Sequence, residues 1–599
     1  MKISTQQKIA IEHNQGPALV LAVPGSGKTT VLLNRIVYLN NTFKIKDNQI
    51  LNLTFSKTQA LDMESRFFKL NSSLKPKFST IHAFCYSIIR FYAKEKKLNF
   101  RLIEGSHEFN KYAVVNRISA QNHNKYLSKE DLDTFFTNYS FAKNNLLNYD
   151  FQNNSFFKEI ALEYDSFKEA NHFIDFDEML TFAYKILLSE EKVLNSVRRF
   201  YKYIQLDEGQ DASLIQFKIL EKIAKPNNNL FIVADDDQSI YAFRGANPQY
   251  LLNIQNIYPD ISLMYLNINY RSSNDIVRLS DFLIQKNKKR YLKEVKSNSN
   301  QNLPITLAKV KNLNVQNNYI LNYIFKDIKK GETLGILFRN NINAIPVINL
   351  LDENKIHYTK RLNFKSDILN EILLDLIDII ELSIDKNNMD VFKRIYYKLN
   401  LYLRKDYVYS IIPDNSEGVI KTILLDCSLP SYQKDILVDF SNSLNRIRRF
   451  NLKGKLEEIF FNTGYLDYLK RHYENFSIDL VQEILLNLSE NHEDLYEIKT
   501  FIENISSKNL IGHGSENPIY VSTVHQSKGL EYDHVIITDL VDGEFPIYDE
   551  RVVDSEEERR LFYVAITRAK KHLTLLVPKK RMHKKVNPSV FIREIKNAK

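Results

Sequence analysis

The sequence predicts an α/β protein of several domains, with parallel sheets flanked by helices. Three observations carry this. At 599 residues the chain exceeds what one hydrophobic core supports. Short apolar runs rich in β-branched residues lead into turns and helical patterns, as in ALVLAV before TTVLLNRIVYL and in ILNLTFSKTQALDM. Two long stretches instead carry helical patterns, as in KEIALEYDSFKEA and EILLDLIDIIELSI.

Bulk composition narrows the function classes. Hydrophobic residues make up 44% and charged residues 26%, a globular balance that argues against wholesale disorder. The net charge of +10 favours an anionic partner, nucleic acid before membrane. Cys85 and Cys427 are far apart and in no Cys/His cluster, so a zinc site or disulfide framework is not expected. MKISTQQKIAIEHNQ lacks the apolar run of a signal peptide, and no segment is apolar enough to span a bilayer. The reading is a soluble, cytoplasmic protein with no membrane partner. No internal repeat stands out, and KSNSNQNLP (296–304) reads as a surface loop.

The first element is a strand over 18–23, a turn, and a helix opening at Lys28-Thr29. AVPGSGKTT follows the phosphate-loop pattern except that Ala22 stands where its first glycine belongs. The loop Ala22, Val23, Pro24, Gly25, Ser26, Gly27 is expected to cradle phosphate, its two glycines turning backbone N–H groups inward. Lys28 is expected to reach the terminal phosphates and Thr29 to offer a hydroxyl to Mg²⁺. The next strand ends in TFSK, with Thr54 and Phe55 at the edge where ligands dock on open α/β sheets. STIHAFC repeats that chemistry with Thr80 and His82, whose polar groups suit phosphates.

YIQLDEGQD is an apolar strand ending in two acids. Asp207 is the expected Mg²⁺ ligand and Glu208 the base that orients and deprotonates the attacking water. LFIVADDDQSIYAFRGA follows, a strand leading into Gln238, which can sense the γ-phosphate through its amide. Tyr241, Phe243 and Arg244 offer two rings and a cation suited to lining a nucleic-acid track.

Together these motifs resemble the superfamily 1A helicases of the UvrD/Rep/PcrA type, whose phosphate loop commonly reads A-x-x-G-x-G-K-T. The resemblance covers roughly residues 1–90, 175–345 and 515–599, with the motifs in family order. It implies that Gln7 contacts adenine, that Tyr270 of NINYRSS stacks on the base, and that Arg271 reaches the γ-phosphate. It further implies Arg339 of LFRNN beside the nucleotide, His525 and Lys528 of VSTVHQSKGLEY on the DNA track, and Glu531 on the nucleotide sugar. Arg568 of AITRAK is the second candidate arginine finger. IDFDEML resembles a D-F-D-D-L-L segment of the family.

The implied fold is two RecA-like P-loop NTPase domains, each with a mostly helical insertion. The motif order assigns 1–90 and 190–265 to the first RecA-like domain and 91–189 to its insertion. It assigns 266–370 and 515–599 to the second and 371–514 to that domain's insertion. The implied activity is ATP- and Mg²⁺-dependent 3′→5′ movement on single-stranded DNA, with opening of single-strand/duplex junctions by a monomer or weak dimer. Two other readings stand beside it: a motor subunit that unwinds poorly alone, and a non-catalytic nucleic-acid-binding module. Phe243 stands where relatives carry Trp, Thr30 where they carry Arg, and Ala234 where they carry Gly. The second insertion lacks the R-G-I-G type hairpin with which relatives hold duplex DNA. The cluster Lys579, Lys580, Arg581, Lys584 and Lys585 reads as a phosphate contact or a solvated basic segment. No appended nuclease domain is expected.

Overall fold

The computed structural model describes residues 3–105, 109–149, 154–362, 364, 367–411, 418–426, 429–473, 477–507, 518–547, 555–582 and 584–596. Cys427 lies outside them, and Cys85 is buried. Packing divides the chain into two units: Met1–Leu303 with Asp554–Thr567, and Pro304–Val553 with Arg568–Lys599.

The first unit is built on a six-stranded sheet of β1 (Ala18–Ala22), β2 (Ile50–Thr54), β3 (Lys77–Thr80), β4 (Tyr203–Leu206), β5 (Leu230–Ala234) and β6 (Ser262–Leu266). Its order is β3-β2-β4-β5-β1-β6, and every pairing is parallel. Parallel strands need crossovers, and those crossovers cover both faces, so β1, β2 and β5 are buried along their whole length. Alternation sorts them: Leu19, Leu21, Leu51 and Leu53 enter one core, and Ala18, Val20, Ala22 and Ile50 the other.

The first helical insertion has a core of its own, with Val115, Phe135, Tyr139, Ile160 and Tyr164 at its centre. Helix Phe176–Ser189 belongs instead to the sheet, since Met179, Leu180, Ala183, Ile186 and Leu187 join the sheet's core. Ion pairs contribute to the join. The Lys168 ammonium is fully buried 2.7 Å from Asp175, 2.8 Å from Glu178 and 3.3 Å from Asp165.

The second unit carries β7 (Thr306–Val310), β8 (Leu334–Phe338), β9 (Thr359–Arg361), β10 (Ile519–Thr523), β11 (Tyr532–Ile537) and β12 (Ala569–Pro578). The order is β7-β12-β11-β8-β10-β9, again parallel throughout. The expected α/β architecture, two parallel sheets flanked by helices, is therefore present. Here the inserted helices share one continuous core with the sheet: Leu444, Ile459 and Ile484 cluster with Leu334, Ile336 and Phe338.

The division by packing runs elsewhere than the division by motif order. Residues 266–303 and 554–567, grouped by motif order with the second sheet, pack in the first unit. Local bonds explain why. The Tyr270 N–H donates to the Gly25 carbonyl at 3.0 Å, and Ile268–Asn269 pairs with Lys296–Ser297. Helix Asn274–Ile284 packs on helix Ser555–Ile566.

Among the described residues, no helix is long and apolar enough to cross a membrane. Of the basic cluster near the end of the chain, Arg581 is internal: its guanidinium is held by Asp539, Glu544 and Glu483. Those three carboxylates, not phosphate, account for it.

Candidate nucleotide and nucleic-acid sites

The first site is assembled at the C-terminal edge of the first sheet, where the turns after β1, β4 and β5 converge. At Ala22 the chain is still strand, paired with Leu266, and its side chain is buried in the core. The turn begins only afterwards, so no glycine is needed there. Gly25 and Gly27 do need to be glycine. Both have positive φ, +69° and +87°. A Cβ on Gly25 would lie 2.6 Å from Arg271 Cβ, and one on Gly27 would lie 2.6 Å from Gln7 Nε2.

Gln7 is buried against the same turn. Its Nε2 donates to the Ser26 carbonyl at 2.9 Å, while its Oε1 accepts from the Ser4 N–H in a capping box. The Ser26 hydroxyl is buried with no hydrogen-bond partner among the described residues. A tight glycine cradle with an unused hydroxyl, opening a helix at Lys28, fits a polyphosphate.

Lys28 Nζ lies 2.9 Å from Glu208 Oε2, which joins the phosphate loop to the acidic pair across 180 residues of sequence. Burial alone would lower the Lys28 pKa, but the charges of Glu208, Asp235 and Asp207 outweigh it and raise it. Burial, reinforced by the neighbouring Glu208 and opposed by Lys28, pushes Asp207 up to about 7. Glu208 adopts a left-handed conformation, φ 51°, uncommon for a non-glycine residue and found at sites that aim a side chain. Asp207 Oδ1 accepts the Glu208 N–H at 3.0 Å. Thr29 lies in the first turn of helix Lys28–Phe43, and with Asp207 it supplies oxygen ligands suited to Mg²⁺.

β5 opens a second acidic group that the sequence analysis did not resolve. Asp235, Asp236 and Asp237 bring oxygens close together, as a cation site would. Lys293 and Arg290 take that position. Lys293 Nζ lies 2.8, 2.6 and 2.7 Å from the three carboxylates, and Arg290 grips Asp237 with two 2.7 Å bonds. Burial would raise the Asp237 pKa, but Lys293 and Arg290 prevail and lower it. Gln238 Nε2 donates to Asp235 Oδ2 at 2.6 Å, so the amide expected to meet phosphate is oriented by a carboxylate that Lys293 neutralises.

Beside this edge stands a ring-and-cation group. Phe55 stacks on Tyr241 at 5.1 Å and 9°, and the Arg244 guanidinium lies 5.2 Å from the Tyr241 ring and 5.4 Å from Phe243. Phe243 is half exposed. The first insertion buttresses this turn. A Cβ on Gly245 (φ +86°) would lie 2.8 Å from Asn144 Cβ, and Asn145 Nδ2 donates to the Gly245 carbonyl at 3.4 Å. Thr54 is buried and donates to Gln59 at 3.1 Å, and Thr80 caps helix Ile81–Lys96. Burial lowers the His82 pKa. Tyr270 is 37% exposed. Asn269 Oδ1 accepts the N–H groups of Arg271 and Ser272, and Arg271 Nη1 donates to the Thr567 carbonyl at 3.3 Å.

In the second unit the expected residues fall at two edges of the sheet. Arg339 follows β8, and His525 begins the turn after β10, both at the C-terminal edge. Lys528 lies farther along the same connection. Glu531 and Arg568 immediately precede β11 and β12, at the opposite edge. Arg339 Nη1 meets Asn340 Oδ1 at 3.5 Å, and Glu531 pairs with Lys570 at 2.9 Å. Arg568 is buried, with Nη1 donating to the Leu530 carbonyl at 3.1 Å. Gly335 lies beneath Tyr532, where a Cβ has no room.

Comparison with known families and proteins accords with this geometry. Residues 3–259 match the family described as UvrD/REP helicase N-terminal domain, and residues 264–425 and 475–580 match the UvrD-like helicase C-terminal domain. The chain is 28% identical to the putative ATP-dependent DNA helicase YjcD of Bacillus subtilis (strain 168), covering 98% of this chain and 80% of that protein. It is 27% identical to the ATP-dependent DNA helicase PcrA of the same organism, over 98% and 85% of the two chains. It is 26% identical to the ATP-dependent DNA helicase Rep of Buchnera aphidicola subsp. Acyrthosiphon pisum (strain APS), over 96% and 94%.

Proposed function

The chain belongs to the UvrD/REP helicase family, as an ATP-dependent DNA helicase of the UvrD/Rep/PcrA type, and from that premise we propose a 3′→5′ motor on single-stranded DNA. The observation that carries the reading is the 2.9 Å contact between Lys28 and Glu208, at the edge where the glycine cradle, Asp207 and Gln238 also converge.

In this reading Gly25, Ser26 and Gly27 hold phosphate oxygens by backbone N–H groups, and Lys28 neutralises the charge that develops on them. Thr29 and Asp207 would hold Mg²⁺, which would supply positive charge beside the phosphates. Lys28 has one ammonium and two anionic claimants, Glu208 and the terminal phosphates. Phosphate binding draws the ammonium away and frees Glu208 to take the proton of the attacking water. Gln238, fixed by Asp235, presents its amide beside the same phosphate. Arg271 and Arg568 are the candidate arginine fingers, Tyr270 the base platform, and Glu531 the sugar contact. Gln7 braces the loop through Ser26 and is the candidate adenine contact.

The strand is held by Phe55, Tyr241, Phe243 and Arg244 with Thr54, Thr80 and His82, and His525 and Lys528 are the candidate strand contacts of the second unit. Ring stacking and backbone contact tolerate any base sequence, as a motor that moves along DNA requires. The two sheets correspond to the two RecA-like domains.

The test is ATP turnover and strand separation measured together on 3′-tailed, 5′-tailed and blunt duplexes, with RNA as control. The expected result is turnover stimulated by single-stranded DNA, with unwinding of the 3′-tailed substrate. Stimulated turnover without unwinding of any duplex would favour a translocating subunit. No stimulation by DNA would overturn the motor reading.

A further inference from the structure

The first sheet has a second concave surface, at the end remote from Glu208. The run Arg198-Arg199-Phe200-Tyr201-Lys202 closes helix Glu191–Phe200 and enters β4. Arg198, Arg199, Tyr201 and Lys202 of this run, with Lys225 and the Asn229 amide from the turn before β5, line a cleft of about 300 Å³. β4 and β5 start at this cleft and finish at Asp207 and Asp235. Four or five residues at ~3.3 Å each put it roughly 15 Å from the phosphate edge.

The cleft is firmly built. Arg198 donates to the Lys222 carbonyl through Nη2 at 2.7 Å and Nε at 3.2 Å. Asn229 donates to the Lys202 carbonyl at 3.1 Å and accepts the Gly16 N–H at 3.0 Å. Its charge is not balanced. Arg199, Lys202 and Lys225 have no ion-pair or side-chain hydrogen-bond partner among the described residues, and no carboxylate lines the cleft. Three cations gathered on one concave surface repel one another, a cost that an anionic occupant offsets. Tyr201 lines the cleft, and the half-exposed Phe200 ring packs edge-on to it at 4.8 Å.

We propose that this cleft is a second nucleic-acid contact, where Arg199, Lys202 and Lys225 take the phosphodiester backbone of a single strand beside the Phe200 and Tyr201 rings. Cations beside aromatic rings match a ligand that carries both phosphates and bases. An acidic peptide offers charge but no π-face at each step. The inference rests on the reading of the chain as a DNA motor and adds a contact outside the Phe55–Tyr241–Phe243 group.

The experiment compares the full-length protein with a triple variant, Arg199→Glu, Lys202→Glu and Lys225→Glu. A matched control carries Lys69→Glu, Lys158→Glu and Lys185→Glu, three exposed lysines that do not line the cleft. The dissociation constant for a long single-stranded oligonucleotide is measured from 50 to 200 mM salt. Each phosphate contact on a single strand contributes about 0.7 to the log–log salt slope, so losing three lowers its magnitude by roughly 2. The control keeps the wild-type slope, and maximal DNA-stimulated ATP turnover is unchanged in both variants. A cleft variant whose slope equals the control's overturns the proposal and leaves an acidic protein surface as the occupant to test. A wild-type chain that does not bind single-stranded DNA overturns the motor reading and this contact with it. Wild-type binding with an unchanged variant slope overturns only the cleft.

Discussion

Gln7 and Gly27 define one another at the level of single residues. The amide occupies the space that any side chain at 27 would enter, 2.6 Å from the position of a Cβ, and the backbone there is left-handed as well. Gly27→Ala therefore incurs about 1–3 kcal/mol of backbone strain and displaces Gln7 from the Ser26 carbonyl. The expected outcome is an ATP KM raised at least tenfold with single-strand affinity unchanged, measured by turnover and by DNA binding without nucleotide. An unaltered KM would show that the Gln7–Gly27 contact does not shape the nucleotide site. Glu208 makes the complementary case, because its carboxylate is held by Lys28 and its backbone is left-handed. Glu208→Gln keeps the shape and removes the base. Turnover should fall by about 10²–10⁴-fold while ATP still binds. Wild-type turnover in that variant would assign the proton to another group. Ala22 shows how far a residue-level pattern reaches: what looked like a missing glycine is the last residue of a strand, buried and in register with Leu266.

At the level of elements, the segment after helix Asn274–Ile284 is held to the end of β5 by ion pairs and by the Tyr291 N–H, which donates to Asp236 Oδ2 at 2.7 Å. Lys293 sits among three buried aspartates, and Arg290 grips Asp237 beside it. Removing one partner of a buried ion pair leaves uncompensated charge and costs about 3–5 kcal/mol. Lys293→Met should lower stability by that order in denaturant titrations and also reduce ATP turnover, since Asp235 orients Gln238. A loss under 1 kcal/mol would mean that solvent, not Lys293, compensates the aspartates. Little of this lock was legible beforehand. KNKKRYLKEVK carries no motif, and sequence cannot show that two of its cations, Arg290 and Lys293, fold under the aspartate turn. Arg581 escaped for the same reason, in a segment that looks like exposed charge. Arg35 is a third case, a buried guanidinium 4.3 Å from the Phe231 ring that donates to Gln205 at 2.9 Å. The elements themselves were legible, because strand, glycine turn and helix each write a local pattern. The grouping of 266–303 with the first unit was not, since it depends on long-range bonds such as Tyr270 N–H to Gly25.

The whole molecule treats its two helical insertions differently, and that difference is measurable. The first has a separate core around Phe135, Tyr139 and Ile160, joined to the sheet's helix through the buried Lys168 cluster. Among the described residues, the second continues the core of its sheet, because Leu444, Ile459 and Ile484 belong to the cluster that holds Leu334 and Phe338. Separate cores open separately, as cooperative units with their own free energies. In native-state hydrogen exchange under rising denaturant, helices Lys111–His123, Lys129–Asn144 and Ser155–Ala170 should therefore open together, before β1 and β5. The helices Ser431–Arg449, Leu452–Asn462 and Ile478–Leu488 should exchange in one step with β8. The first insertion also bears on function, because Asn144 and Asn145 support the Gly245 turn beside Phe243 and Arg244. Opening it should loosen the grip on single-stranded DNA while leaving the phosphate loop protected. If the first insertion opens only with β1 and β5, its core is not an independent unit, and the Lys168 cluster is strong enough to merge it with the sheet.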